Sequence, residues 1–527
     1  MTVPAAKLNP TRADDSPVVT TTSGRVRGLR AEHADVFLDI PYAAPPLRPL
    51  RFAPPAPHPA WEGTRDGSTP GPNAPQPARN RLGRLDLSPF FGDGWVPGDD
   101  YLTVNVWAPA DRSTPSPVAV FVHGGAFIAG STRAPLYNGE AFARDGVVFV
   151  AVNYRLGIAG FMHLEDAPDN RGRLDVLAAL RWVQRNVARF GGDPGNVTLA
   201  GQSAGAILVA SVVGAPDARG LFGRAIVQSG SGSAAFTPGQ AARVSAAVGR
   251  ELGVDPTAAT LSRLTDAQTV DLLPELAGLD LRTETDHDPL GGITPFNLVL
   301  DRQPVERLAV HGAPGVDLMI GSNQDEGALY LAPFVDLNAS SFDDVQSVAA
   351  RFHPEPDKIV QAYRTAKPSA TAGELRTALL GDAMFGVGTR RYARAHADHE
   401  AATFVYEFTW RSDALGGHLG ACHLMELPFV FDRVDLPALH GPEGILGTTP
   451  APRDLATRVH AAWVRFATCG DPGWSPYRPA TPVVQDIRAA QWKTLLDPHA
   501  AEFRSWNTAP GRLPGVAVDG LSRPREA

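Results

Sequence analysis

Short apolar runs, too brief for helices and rich in β-branched residues, do most to limit what this chain can fold into. Residues 118–122 (Val-Ala-Val-Phe-Val) and 147–152 (Val-Val-Phe-Val-Ala-Val) contain no polar side chain. Similar runs recur at 197–200, 225–227, 316–320 and 403–408. A strand that is apolar at every position is covered on both faces, as inside a parallel sheet flanked by helices. Between two of these runs, residues 174–189 place Val176, Ala179, Leu180, Val183 and Val187 on one face of a 3.6-residue period. Gly191 and Gly192 should end that helix, and Asp193-Pro194-Gly195 should turn the chain. Further helices are expected in 236–280 and 341–397. Strands alternating with helices predict an α/β fold with a mostly parallel, twisted central sheet.

The segment before Pro109 differs. It is rich in Pro and Gly and carries short β-like runs at 36–38 and 102–107, so a β-rich N-terminal segment is expected. A length of 527 residues would ordinarily suggest several domains. No fixed-period repeat or low-complexity linker divides the chain, however. The expectation is one domain over 1–527, with helical insertions around 231–310 and 328–400.

Composition narrows the functional class. The net charge of −8 favours neither nucleic acid nor an anionic membrane. No run of 18 apolar residues occurs, so no membrane-spanning helix is expected. Residues 1–16 have no apolar stretch of the kind a secretory leader needs. Two cysteines, Cys422 and Cys469, rule out a disulfide framework or a Cys-rich metal site as the basis of the fold. These features predict a cytoplasmic protein. Neither a His-Glu-x-x-His motif nor a Walker loop is present, and no metal or organic cofactor is expected.

The chemistry concentrates where strands end. Gly201-Gln202-Ser203-Ala204-Gly205 follows the run at 197–200 and precedes an apolar helical stretch at 206–213. A tight strand-to-helix turn needs small residues on either side of its centre, and it lifts the central serine above the sheet as a nucleophile. His123-Gly124-Gly125-Ala126-Phe127 closes the run at 118–122, a glycine-rich stretch whose backbone N–H groups can approach a ligand. A serine nucleophile further needs an acid and then a histidine, in that chain order. The segment 321–327 supplies Asp325 and Glu326 just past a strand end, and either would serve. Among 14 histidines, His423 stands out because it follows the last strong strand in an irregular apolar stretch; His418 is the fallback.

With these elements in place, the sequence resembles the type-B carboxylesterase/cholinesterase family, most of all its bacterial members of the para-nitrobenzyl esterase kind. The likeness runs from Gly24-Arg25-Val26-Arg27-Gly28 to about Tyr477. It includes Ile40-Pro41-Tyr42-Ala43, Leu50-Arg51-Phe52, Asn105-Val106-Trp107 and Phe190-Gly191-Gly192-Asp193-Pro194. The resemblance implies an α/β-hydrolase fold and a serine hydrolase acting on small-molecule carboxylic esters through an acyl-enzyme. It implies Ser203 as nucleophile, Glu326 as acid and His423 as base. It also implies Gly125, Ala126 and Ala204 as oxyanion donors. Two departures stand out. Ala74 and Tyr101 occupy positions where the family usually carries a disulfide, and Gln202 stands where cholinesterases carry Glu, which argues against a choline ester. Phe127, Phe296, Phe334, Met384 and Phe385 are candidates to line an apolar pocket. The same residues would also serve an amide or carbamate hydrolase. A non-catalytic binding or adhesion module is the remote alternative, since such relatives tend to lack the Ser or the His.

Overall fold

A computed structural model describes residues 16–283 and 286–507. The N-terminal stretch read above for a leader therefore lies, apart from Ser16, outside the described residues. The main sheet has eleven strands. In chain order they are β1 (Leu29–Arg30), β2 (Ala34–Pro41), β3 (Thr103–Pro109), β4 (Ser116–Val122), β5 (Val148–Val152) and β6 (Gly192–Gln202). Then follow β7 (Arg224–Gln228), β8 (Asp317–Asn323), β9 (Thr403–Phe408), β10 (Val483–Ile487) and β11 (Lys493–Leu496). In space the order is β11-β10-β9-β8-β7-β6-β4-β5-β3-β2-β1. From β5 through β10 neighbouring strands are parallel, and antiparallel pairs flank this block on both sides.

The pleat explains why the central runs are apolar at every position. Val118, Val120 and Val122 join one core, and Ala119 and Phe121 join the other. Helices α1 (Arg171–Asn186) and α2 (Ala204–Val212) bury their apolar residues in the first core, among them Val176, Leu180, Val183, Ile207 and Leu208. Leu455, Val459, Trp463 and Phe466, from the helix Arg453–Cys469, lie in the second. Removing any one of these large side chains costs about 2–5 kcal/mol, because the close-packed surroundings cannot collapse onto the gap.

One local expectation changes form. A 3₁₀ turn at Val187–Phe190 prolongs α1, and Gly191 at φ 85° closes it. The Asp-Pro-Gly turn then lies within β6 as a bulge. Gly192 pairs with Ser116 and Val197 with Val118, so the intervening residues loop out of the ladder. Gly195 N–H donates to Asp193 Oδ1 there, 2.8 Å, which holds the bulge.

The winding of the sheet places the site. The chain steps from β4 outward to β5, then crosses back through α1 so that β6 lies on the other side of β4. At such a reversal the connecting loops part, and a crevice opens beyond the carboxyl ends of the strands. The long connections after β7 and β8 carry helices, including Pro238–Leu252, Phe342–Phe352 and α3 (Ala372–Gly381). A π-helical turn, Asp382–Gly386, joins α3 to α4 (Val387–Ala397). Among the described residues no helix is long and apolar enough to cross a membrane.

Candidate active site

Ser203 stands alone between β6 and α2, with φ 56° and ψ −125°. A non-glycine residue held there costs on the order of 1–3 kcal/mol, a cost borne only where the surroundings enforce it. The enforcement is visible. Ser203 N–H donates to Gln228 O at the end of β7, 2.9 Å. A Cβ on Gly201 would lie 2.5 Å from Gly205 O, and one on Gly205 would lie 2.1 Å from Val122 O. Glycine at both positions lets strand and helix meet this closely and leaves the serine hydroxyl partly open to solvent.

The segments that follow β8 and β9 complete a chain of hydrogen bonds. His423 Nε2 lies 2.8 Å from Ser203 Oγ, and His423 Nδ1 lies 2.5 Å from Glu326 Oε2. Histidine and glutamate are both about 97% buried, at 2% and 3% exposure. An ionised carboxylate can only accept, so Nδ1 carries the proton and Nε2 is left to accept from the serine hydroxyl. The other carboxylate oxygen, Oε1, accepts from Asn323 N–H at 2.7 Å and from the Ser229 hydroxyl at 2.5 Å. Phe385, on the π-helical turn, stacks on the imidazole with centroids 4.5 Å apart, and Tyr330 flanks it at 5.7 Å.

Asp325 makes a different set of bonds. Its carboxylate accepts from Ala421 N–H at 2.8 Å and from Arg411 Nη1 at 2.5 Å, while its own N–H donates to Ala421 O at 2.9 Å. It secures the segment that delivers His423. His418 is solvent-facing and sits 3.0 Å from the Asn338 side-chain amide.

The glycine-rich loop after β4 curls beside the serine. Gly125, Ala126 and Phe127 take φ of 123°, 56° and 62°. A Cβ at Gly125 would fall 1.9 Å from Ala129 O, so only glycine fits. Among the described residues, no protein acceptor takes the N–H of Gly125 or Ala126. Ala204 N–H, at the start of α2, belongs to the group that no helix satisfies internally. His123 is buried and desolvated down to about 4, hence neutral, with Nδ1 at 2.8 Å from Gly124 O.

The candidate pocket residues scatter. Phe385 reaches the imidazole. Met384 is buried in the helical cluster beside it. Phe127 packs on Phe161 at 4.7 Å. Phe296 is buried next to Thr294, whose hydroxyl donates to Ala126 O at 2.7 Å. Phe334 lies 55% exposed and, among the described residues, makes no ring contact with His423. Sequence reasoning passed over three groups near the imidazole: Ser229, Asn323 and Glu426. Glu426 is buried, accepts from Asn323 Nδ2 at 2.6 Å and from Gln228 Nε2 at 3.2 Å, and is pushed up to about 7 by burial and by the charge of Glu326. Its place three residues after His423 was the only hint available.

Residues 15–508 match the carboxylesterase family. Para-nitrobenzyl esterase of Bacillus subtilis (strain 168) is 34% identical over 480 residues, which is 88% of this chain and 93% of that protein. Phenmedipham hydrolase of Pseudarthrobacter oxydans is 33% identical over 513 residues, 93% of this chain and 99% of that protein. Among solved structures, a PNB esterase superposes with a TM-score of 0.80 at 31% identity, covering 93% of this chain and 99% of the other. A Geobacillus stearothermophilus carboxylesterase gives 0.79 at 32% identity, with the same coverage.

Proposed function

This chain belongs to the carboxylesterase family and is a carboxylic-ester hydrolase of the α/β-hydrolase fold, and on that premise we propose that Ser203, His423 and Glu326 carry out the reaction. His423 Nε2 takes the Ser203 proton as Oγ attacks the ester carbonyl. Glu326 keeps the imidazole in the accepting tautomer and supports the cation that forms. The N–H groups of Gly125, Ala126 and Ala204 meet the tetrahedral oxyanion. The imidazolium then returns its proton to the departing alcohol. Water, activated by the same base, frees the acid from the acyl-enzyme.

The supporting observation is the unbroken run from Glu326 through His423 to Ser203, at 2.5 and 2.8 Å, beside a loop with unclaimed N–H groups. The test is Ser203→Ala with para-nitrophenyl acetate. Turnover should fall by something on the order of 10⁶ while the melting curve is kept. A variant retaining a tenth of wild-type activity overturns the assignment. The same machinery can attack an amide or carbamate carbonyl, and rates on a matched ester and amide pair distinguish the preferences.

We also read the chain as one domain with two helical insertions, since helices from both insertions contribute to the cores that cover the main sheet. A reducing compartment such as the bacterial cytoplasm fits two further features. Cys422 and Cys469 are both free, and Ala74 and Tyr101 are simply part of the core.

A further inference from the structure

Two fully buried arginines are richly supplied with partners. Arg155 pairs with Asp175 through two side-chain bonds of 2.7 and 2.8 Å and also reaches backbone carbonyls. Arg171 donates to four carbonyls at 2.6–3.1 Å. Arg79 is the contrast. Its single hydrogen bond among the described residues is a long one, 3.5 Å from Nη1 to Gly125 O. That carbonyl already accepts from Ile128 and Ala129 N–H, at 3.1 and 3.0 Å, so it has little left to offer a cation. No carboxylate among the described residues forms an ion pair with Arg79.

Its position is as telling as its lack of partners. Gly125 belongs to the loop assigned above to the oxyanion. The segment that carries Arg79 is stitched to the same loop: Gln76 accepts from Gly130 N–H at 2.7 Å and donates to Gly130 O at 3.1 Å. The guanidinium is crowded by protein, and that desolvation lowers its pKa, yet the residue keeps contact with solvent. The guanidinium thus borders solvent beside the glycine-rich loop. The titratable group nearest in influence is Tyr330, whose ring flanks His423 at 5.7 Å. Gln202, beside the nucleophile, is neutral. A crowded cation with N–H donors that no protein group among the described residues takes is placed to receive an anion.

We propose that Arg79 is a specificity-determining residue that receives a carboxylate of the substrate, so that this esterase favours esters carrying a free carboxylate near the scissile bond. This rests on the hydrolase reading of the site and adds a substrate class to it. The planar guanidinium grips a carboxylate through two parallel N–H bonds, orienting the ester carbonyl toward Ser203.

Two substrate pairs test it, each matching a charged ester with a neutral one. Monomethyl glutarate against methyl valerate puts the carboxylate on the acyl side; 4-acetoxybenzoate against its methyl ester puts it on the alcohol side. The readout is the ratio of kcat/KM for the charged ester to that for the neutral ester. In Arg79→Gln the ratio should fall at least about tenfold in one pair, and the pair affected identifies the side. Arg79→Lys should fall between Gln and wild type. Arg79→Glu should lower the ratio further and improve turnover of a cationic ester such as butyrylcholine. A ratio within about twofold of wild type in both pairs overturns the proposal. Salt provides a reading on the wild-type enzyme alone: kcat/KM for the preferred charged ester should drop between about 20 and 500 mM NaCl while that for its neutral partner holds. Equal salt responses overturn the proposal as well. If wild type turns over none of these esters, charged or neutral, it is the hydrolase reading that has failed.

Discussion

Asp325 and Glu326 are adjacent and like-charged, yet only one of them touches the imidazole. The extra methylene takes the Glu326 carboxylate to His423 Nδ1, where Asn323 and Ser229 hold its other oxygen. Asp325 instead binds Ala421 and Arg411. Glu326→Gln should therefore lower turnover by about 10²–10⁴, since the imidazole loses both its tautomeric bias and the support for its cation. Asp325→Asn should keep turnover within about tenfold and cost roughly 1 kcal/mol of stability, because the lost ion pair is with a half-exposed arginine and an amide oxygen can still accept from Ala421. Steady-state kinetics and thermal melts on both variants check this. A dead Asp325→Asn beside a near-normal Glu326→Gln would move the acid by one residue.

At the scale of the element, the site depends on how closely α2 approaches β4. Gly205 faces Val122 O and His123 O, backbone atoms at the end of the strand that leads into the glycine-rich loop 124–127. Neither can yield without moving that loop. Gly205→Ala should lose about 3 kcal/mol or more, or fail to give soluble protein. Gly146→Ala is the control, a position at φ 83° with nothing within 4 Å of the new Cβ. It should cost only about 1–2 kcal/mol, for the left-handed backbone alone. Denaturant unfolding of the two variants separates contact from conformation. Equal losses would mean that the close approach is not what requires glycine at Gly205. The pattern of elements was legible because periodicity and glycine placement act over a few residues. The Asp-Pro-Gly bulge inside β6 was not, since only the pairing with β4 decides whether a turn leaves a strand or interrupts it.

At the scale of the whole molecule, the far end of the described chain braces the site from behind. The short helix α5 (Ala500–Ser505) packs where the π-helical turn bearing Phe385 also packs. His499 Nε2 lies 3.1 Å from Glu407 Oε1 on β9, and Nδ1 lies 3.6 Å from Glu502. Burial by itself would lower the imidazole, but the hydrogen bonds to Glu407 and Glu502 prevail and raise it to about 10. A folded value above the unfolded one makes the contribution complete below about 6.5, and it fades as pH climbs toward 10. Wild-type unfolding free energy should thus decline across that window more steeply than that of His499→Gln. Melts at pH 6, 8 and 10 compare them, and parallel curves would remove His499 from the account.

What the sequence determined by itself was local or repeated. Unbroken apolar runs named the buried strands, and a 3.6-residue period named α1. Small residues around Ser203 named the turn, for each signal is a steric or burial condition that neighbouring residues impose on one another. Chain order and family likeness reached further, to Glu326 and His423, although the residues alone left Asp325 equally eligible. Tertiary structure decided the rest. Ser229 meets Glu326 across 97 positions of sequence, and Glu426 meets Gln228 across 198. Arg79 reaches the loop at Gly125 across 46 positions and finds no acid there. A serine, a glutamate or an arginine carries no local pattern that says what it will face. Their partners are set by which strand ends the sheet brings side by side, and that follows from the packing of the whole chain.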